Sequence, residues 1–241
     1  MLRRFLNASI AAVALLVLAA PLMFVALVVK LTSPGPVLFR QRRVGKHGRE
    51  FNILKFRTMS ADASQGSPIT IGRDRRITPF GAFLRKSKVD ELPQLINVLK
   101  GDMDLVGPRP ELPEYVQKYS AADRALVLSV RPGLTDFASA RYRNESELLA
   151  AAENPFDYYE RVQLPRKLRY ARFYARRADL RLDFYIIGLT IRALLADAFG
   201  RAPRRQTPAK RNLAKDAPAP SLHALASQSR RAGLNRAMIP R

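Results

Sequence analysis

The sequence predicts a mixed α/β protein that is mainly helical: an N-terminal re-entrant membrane helix, then a small hairpin, then a cytoplasmic domain with interfacial amphipathic helices. Three observations lead there. An uncharged apolar run is broken by Pro21 and flanked by cations on both sides, a strand–turn–strand pattern follows it directly, and helix start and stop signals recur through the rest of the chain. The divisions read as 1–33 for the membrane helix, 34–199 for the cytoplasmic domain and 200–241 for a basic, disordered tail.

Composition sets the outer limits. With 241 residues, 47% of them hydrophobic, the chain can bury one compact domain with elaborations. The absence of cysteine excludes disulfides and thiolate metal sites, and with His47 and His223 as the two histidines a His-built metal centre is disfavoured, so any metal must rest on carboxylates. Forty-two Lys and Arg against 20 Asp and Glu give a net charge of +22, which favours polyanionic partners: phosphates, anionic headgroups or nucleic acid. The tail alone holds ten basic residues against Asp216, so nine of those charges lie there and the body keeps about +13.

The run from Ile10 to Val29 is twenty residues long, and at 1.5 Å per residue it makes about 30 Å of helix, the depth of a bilayer's hydrocarbon core. Pro21 removes a backbone hydrogen bond and its ring presses on the Val17 carbonyl, so a kink or break is expected. Arg3 and Arg4 precede the run, whereas Lys30, Arg40, Arg42, Arg43 and Lys46 follow it. The positive-inside rule therefore draws both ends toward the cytoplasm, which a helix that bends and leaves on its side of entry satisfies and a straight span does not. A one-pass anchor and a cleaved signal peptide are the competing readings, the second disfavoured because the apolar run continues through Leu22 to Val29.

Beyond Ser33-Pro34-Gly35-Pro36, the stretches Val37 to Val44 and Phe51 to Phe56 flank Gly45-Lys-His-Gly48 and read as a hairpin. Residues 60 to 77 read as a loop. Thr78 followed by Pro79 marks a helix start, with the helix running to about Ser87. Asp90 reads as the N-cap of a second helix, with Leu92, Leu95, Ile96 and Leu99 on its apolar face and Gly101 as its stop. Residues 102 to 113 read as a rigid proline loop, followed by a helix from about Glu114 and a turn at Arg131-Pro-Gly133. The basic, aromatic segment Leu164 to Arg177 suits either a charged membrane surface or a basic helix packed on the domain. Phe184 to Phe199 is too short and too interrupted for a second crossing and reads as a core or interfacial helix. There is no internal repeat.

The chemistry centres on Asp90 and Glu91. An aspartate at a helix N-terminus is stabilised as the anion, and a carboxylate anion can attack phosphorus to give an acyl phosphate. Such an aspartate is far more often a simple cap. What strengthens the case is a set of cations nearby in sequence: Lys55 and Arg57 leaving the hairpin, Arg85 five residues before Asp90, and Arg109 held between Pro108 and Pro110. Together they can neutralise a diphosphate. Glu91 is then the best holder of a Mg2+ that bridges phosphate oxygens. Asp102-Met-Asp104 has the spacing of a metal-binding D-x-D motif, although after Gly101 it reads better as a solvated turn.

Taken in order, Pro21, Gly35-Pro36, Gln41-x-Arg43-x-Gly45, Lys55-Phe-Arg-Thr-Met59, Asp90-Glu-Leu-Pro-Gln94, Asn97-Val-Leu-Lys-Gly-Asp-Met103, Leu105-Val-Gly-Pro-Arg-Pro110 and Arg131-Pro-Gly-Leu-Thr135 resemble the bacterial sugar transferases known as monotopic phosphoglycosyl transferases. The resemblance covers residues 5 to 195. It implies a bacterial inner-membrane enzyme acting at the cytoplasmic face, in which Asp90 attacks the phosphate next to the sugar of a UDP-sugar and releases UMP. Polyprenyl (undecaprenyl) phosphate then takes the phosphosugar, which starts assembly of an exopolysaccharide, an O-antigen or a glycoprotein glycan. It further implies that Glu91 binds magnesium and that Lys55, Arg85 and Arg109 meet substrate phosphates. Three departures stand out: Ala20 where the family often has Ser, Asp104 for a common Ser, and Asp136-Phe-Ala-Ser139 for a frequent Gly-Trp-Ala-Gln. These leave the sugar unassigned, as sequence leaves the oligomeric state.

Other function classes stay in view. A UDP-releasing glycosyltransferase would use Asp102 and Asp104. A membrane-anchored nucleic-acid binder explains the charge but not the Asp90 cluster, so nucleic acid is not counted among the expected partners, which are the UDP-sugar, polyprenyl phosphate and the lipid bilayer. A membrane scaffold without catalysis is a third.

Overall fold

A computed structural model describes residues 2–60, 69–72, 74–141 and 145–198. The expected tail and part of the 60–77 loop lie outside these residues.

The apolar run folds as two helices, α1 (Leu2–Val17) and α2 (Ala19–Thr32), bent by 65°. The break falls at Leu18, three residues before Pro21. Having no N–H, Pro21 cannot bond the Val17 carbonyl, so the turn spanning the two loses one rung while the flanking bonds from Leu18 N to Ala14 O and Leu22 N to Leu18 O persist at 2.9 and 2.8 Å. No single helix among the described residues is long and apolar enough to cross a membrane, but this bent pair is, by length and composition. One side of it carries exposed apolar residues, among them Phe5, Val13, Leu16, Phe24 and Leu27.

Both ends of the pair are fastened to the domain that follows. At the start, the Arg4 guanidinium donates to the Leu99 carbonyl at 2.7 Å, and Asn7 Oδ1 accepts from Leu105 N at 2.7 Å. Arg3 pairs with Asp183 at 3.0 Å and also bonds the Tyr174 hydroxyl. At the far end, Arg57 donates to the carbonyls of Val29 and Ser33.

Strands β1 (Leu38–Val44) and β2 (Glu50–Phe56) form the expected antiparallel hairpin, Leu38 opposite Phe56 and Val44 opposite Glu50. Its turn passes through His47 and Gly48 at φ 57° and 79°. Helix α3 (Pro79–Ser87) starts as predicted, with the Thr78 hydroxyl accepting from Gly81 N at 2.9 Å. A short 3-10 turn, Val89–Glu91, leads into α4 (Gln94–Lys100), which Gly101 ends at φ 97°.

The stretch 102–113 is not a loop throughout. It contains β3 (Asp104–Val106), which pairs in parallel with β4 (Gly133–Thr135), so the turn at Arg131-Pro-Gly133 is the entry to a strand. A three-residue strand carries too little periodicity to read, and its partner is 29 positions away. Gly133 lies so close to Gly107 that a Cβ on it would sit 2.0 Å from the Gly107 nitrogen, so no side chain is tolerated there.

The remaining helices are α5 (Pro113–Gln117), α6 (Ala121–Val127), α7 (Phe137–Arg141), α8 (Glu145–Ala150), α9 (Pro155–Tyr158), α10 (Leu164–Arg177) and α11 (Leu180–Ala198), with a π-helical turn at Tyr159–Gln163 before α10. Helix α10 spends its apolar face internally: Leu164, Tyr170, Phe173 and Tyr174 are buried, so it is the packed basic helix and offers no apolar side to lipid. Helix α11 begins four residues earlier than expected because Asp179 caps it, accepting from Leu182 N at 2.7 Å. It buries Leu182 and Ile186 and leaves Phe184, Ile191 and Leu195 exposed.

Two apolar clusters receive the bent pair. Ala11 of α1 packs with Ile53, Leu95, Val98 and Met103, and Val29 of α2 packs with Phe56 and Leu84. Asn97 welds α4 to the hairpin between them: its Oδ1 accepts from Leu54 N at 3.0 Å and its Nδ2 donates to Asn52 O at 2.8 Å. Asn97→Ala leaves a buried strand N–H without an acceptor, so denaturant unfolding in detergent should show a loss of about 3 kcal/mol.

Candidate active site

Asp90 and Glu91 occupy the 3-10 turn that joins α3 to α4. This places them at the fork between the two clusters, α2 packing on the α3 side and α1 on the α4 side. The turn is entered through Lys88 at φ 62°, a left-handed residue whose N–H bonds the Arg85 carbonyl. That conformation closes α3 and reverses the chain so that two consecutive acidic side chains become buried, with Asp90 7% and Glu91 9% exposed.

Glu91 is the hub. Its Oε1 accepts from Lys55 Nζ at 2.7 Å and from Arg109 Nη2 at 2.8 Å. Burial alone would raise the Glu91 carboxyl, but Arg109 and Lys55 outweigh it and hold the group well below the usual carboxylate range. The same pairing raises the Arg109 guanidinium, through Glu91 first. Lys55 responds differently: burial dominates, and its ammonium falls to about 8 despite the pull of Glu91.

Asp90 departs from the sequence reading. It is not an N-cap: α4 starts behind Pro93 with no side-chain cap, and Asp90 Oδ1 is buried without a hydrogen-bond partner among the described residues. Its acidity shifts the opposite way from that expected at a helix end. Burial raises the carboxyl, Glu91 adds to the rise, and Lys55, Lys88 and Arg85 pull it down. The helix here is only a 3-10 turn at this point, so the amides that would have stabilised the anion bond backbone carbonyls instead, Glu91 N to Lys88 O and Leu92 N to Val89 O.

The basic residues divide. Lys55 and Arg109 meet at Glu91. Arg85 stands beside them, its Nε donating to Thr58 Oγ1 at 2.7 Å and its Nη1 to Thr70 Oγ1 at 3.0 Å, close enough for Asp90 to be its leading charge partner. Arg57 does not join the cluster. It is buried and turned toward the end of α2, where its Nη2 donates to Val29 O at 3.3 Å and to Ser33 O. Sequence spacing put it with Lys55, but the carbonyls of α2 compete for it. Thr58, Thr70 and Lys88 are the neighbours that the sequence did not single out; no residue pattern announces a left-handed lysine.

Asp102 and Asp104 do not share one environment: Asp102 sits partly exposed in the turn after Gly101, as expected, and Asp104 does not. Asp102 accepts from Asn97 Nδ2 at 3.2 Å, whereas Asp104 is buried in β3, where burial raises its carboxyl against Arg131 and Arg3. Among the described residues no three acidic or histidine side chains converge as a metal cage. Glu91 still fits the lighter demand of Mg2+, which keeps waters and takes one or two carboxylates plus substrate phosphates. With Oε1 bonded to Lys55 and Arg109, Oε2 is the Glu91 oxygen that could hold such an ion.

The cluster is thus two cations held by one buried carboxylate, with a second carboxylate beside it and unbonded. Glu91→Gln strips the partner from both cations. Thermal and denaturant unfolding should register a loss of about 3–5 kcal/mol, partly recovered on adding inorganic pyrophosphate.

Comparison with known proteins identifies the family. The model of the family described as bacterial sugar transferase matches residues 1–197. The chain is 39% identical over 186 residues to a UDP-glucose:undecaprenyl-phosphate glucose-1-phosphate transferase of Xanthomonas campestris, covering 75% of this chain and 36% of that protein. It is 38% identical over 193 residues to a UDP-N-acetylgalactosamine-undecaprenyl-phosphate N-acetylgalactosaminephosphotransferase of Aeromonas hydrophila, with 77% and 42% covered. An exopolysaccharide production protein of Rhizobium leguminosarum is 45% identical over 144 residues, with 53% and 68% covered. The chain therefore spans roughly two fifths of the length of the first two relatives. A family match over four fifths of the chain, with Asp90, Glu91, Lys55 and Arg109 inside it, shows that this protein belongs to the bacterial sugar transferase family.

Proposed function

We propose that this chain transfers a sugar-1-phosphate from a UDP-sugar to undecaprenyl phosphate through a phosphosugar carried on Asp90, at the cytoplasmic face of the bacterial inner membrane. The observation that carries the reading is the arrangement at Glu91: two half-buried cations on one carboxylate oxygen, beside an aspartate oxygen with no hydrogen-bond partner among the described residues. The names of the relatives supply the substrate classes.

The chemistry follows from the charges. Lys55 and Arg109 are positioned before substrate arrives, so a diphosphate meets preorganised positive charge rather than having to order it. Arg85, held by Thr58 and Thr70, adds a third cation. Asp90 Oδ1 makes no hydrogen bond among the described residues, so no bond has to break before it attacks phosphorus, and the cations around it offset the burial that disfavours its anion. Asp90 forms a bond to the sugar-bearing phosphorus while the bond from that phosphorus to the bridging oxygen breaks, and UMP departs with the electron pair. A phosphate oxygen of undecaprenyl phosphate then attacks the same phosphorus. The aspartyl bond breaks, the carboxylate is restored and a lipid diphosphosugar remains. A Mg2+ on Glu91 Oε2 supplies charge neutralisation at phosphate oxygens when bound.

The two substrates differ in where they can be. One is soluble and the other stays in the bilayer, so the active site belongs at their boundary. The bent α1–α2 pair supports a re-entrant placement: its exposed apolar side suits lipid, and both of its ends bond the same domain.

Intact-mass analysis after incubation with UDP-glucose or UDP-N-acetylgalactosamine tests the covalent step. The parent should gain the mass of the phosphosugar and Asp90→Asn should not; full turnover by Asp90→Asn sinks the mechanism. Because Lys55 is lowered to about 8, it loses its proton as pH rises through that value and the site loses a cation. Adduct formation should fall along that limb. In Lys55→Arg, which stays charged, the limb should move beyond the measurable alkaline range.

A further inference from the structure

Arg57 is the one basic residue of the expected set that the cluster leaves out, and it is poorly accounted for where it sits. It is 8% exposed. Its Nη2 bonds two carbonyls at the end of α2, but Nε and Nη1 are buried with no partner, and no carboxylate among the described residues pairs with it. The hydroxyl of Ser33, the residue after α2, is likewise buried without a partner among the described residues, and the Ser33 carbonyl is one of those that Arg57 holds. Capping a helix end accounts for one guanidinium nitrogen. It leaves a cation buried with a row of unused donors beside an unused hydroxyl, an arrangement that costs free energy unless an anion completes it.

The position indicates which anion. Ser33 lies where the apolar helix gives way to Pro34-Gly35-Pro36, the level of phosphate headgroups in a re-entrant placement. Arg57 also extends the hairpin ladder, its N–H bonding Val37 O at 2.9 Å. It therefore follows Lys55 by one side-chain repeat on the same face of the strand, about 7 Å along. Lys55 touches Glu91. An anion at Arg57 thus sits beside the reacting cluster, on its membrane side.

We infer that Arg57 and Ser33 form a second phosphate site, distinct from the Lys55–Arg109–Glu91 cluster, that binds the phosphate of a lipid. This rests on the covalent reading of Asp90 insofar as that reading separates a donor step from an acceptor step. Two lipids carry the chemistry: the phosphate monoester of undecaprenyl phosphate and the phosphodiester of an anionic headgroup.

The test uses the full chain in phosphatidylcholine vesicles, with and without phosphatidylglycerol, comparing the parent with Arg57→Gln and Ser33→Ala. The second variant keeps the Arg57–carbonyl contacts and so guards against misfolding. If the acceptor phosphate binds here, adduct formation from the UDP-sugar stays within about twofold, while the KM for undecaprenyl phosphate rises about tenfold in Arg57→Gln and about threefold in Ser33→Ala. If a headgroup binds here, that KM holds but the parent's response to phosphatidylglycerol disappears in both variants; the site stands, with its lipid identified. The inference is overturned if both variants merely melt earlier with kinetics and lipid response intact, which makes Arg57 a helix cap only, or if adduct formation itself collapses, which returns Arg57 to the donor site. A parent that forms no adduct at all tells instead against the covalent reading.

Discussion

The structure depends on one constraint: the apolar helix pair begins and ends on the same domain. Arg3, Arg4 and Asn7 fix its start to α11, α4 and β3, and Arg57 fixes its end behind β2. A straight helix of that length would carry its two ends about 45 Å apart. The missing rung between Val17 and Pro21 eases the conflict by letting the pair bend through 65°, which shortens and redirects its span toward the domain. Polar bonds at the ends and apolar packing along the inner side then act together, as Ala11 and Val29 each enter a cluster built around β2.

That docking also shapes the reactive turn. Asp90 and Glu91 lie between the two places where the helices press on the domain, and neither could be buried there without a compensating charge nearby. Glu91 is compensated by Lys55 and Arg109, which leaves Asp90 as the less satisfied of the two. Adjacent carboxylates are thereby driven apart in acidity, Glu91 downward by its cations and Asp90 upward by burial and by Glu91. Glu91 also keeps two cations close together that would otherwise repel. In the proposed reaction the diphosphate of the substrate would take over that task.

Much of this was legible in the residues. The hairpin, the Thr78 cap and the Gly101 stop follow local rules that a short window contains, and Pro21 marked the break. Lys55, Arg109 and Glu91 were grouped by charge and spacing alone. What the sequence concealed had non-local causes. Strand β3 exists because Gly107 and Gly133 let two distant segments touch, and Arg57 turned away because the end of α2 offers carbonyls that lie far off in sequence. Asp90 read as a cap because Ser, Asp and Pro patterns cannot tell a 3-10 turn from the first turn of an α-helix. Likewise, the amphipathic look of α10 was real, but nothing local says whether an apolar stripe faces lipid or Tyr170 and Phe173's own core.

The bend at Leu18 has a mechanical corollary. In the proposed re-entrant placement the bent pair would act as a wedge in one leaflet, pushing lipids apart there and leaving the opposite leaflet untouched, so its insertion would respond to the lateral pressure of a single monolayer. Enzymes of this shape would concentrate where that monolayer is loosely packed or outwardly curved. In that placement the geometry of one proline would tie the position of the proposed reaction to the elastic state of the sheet it sits in.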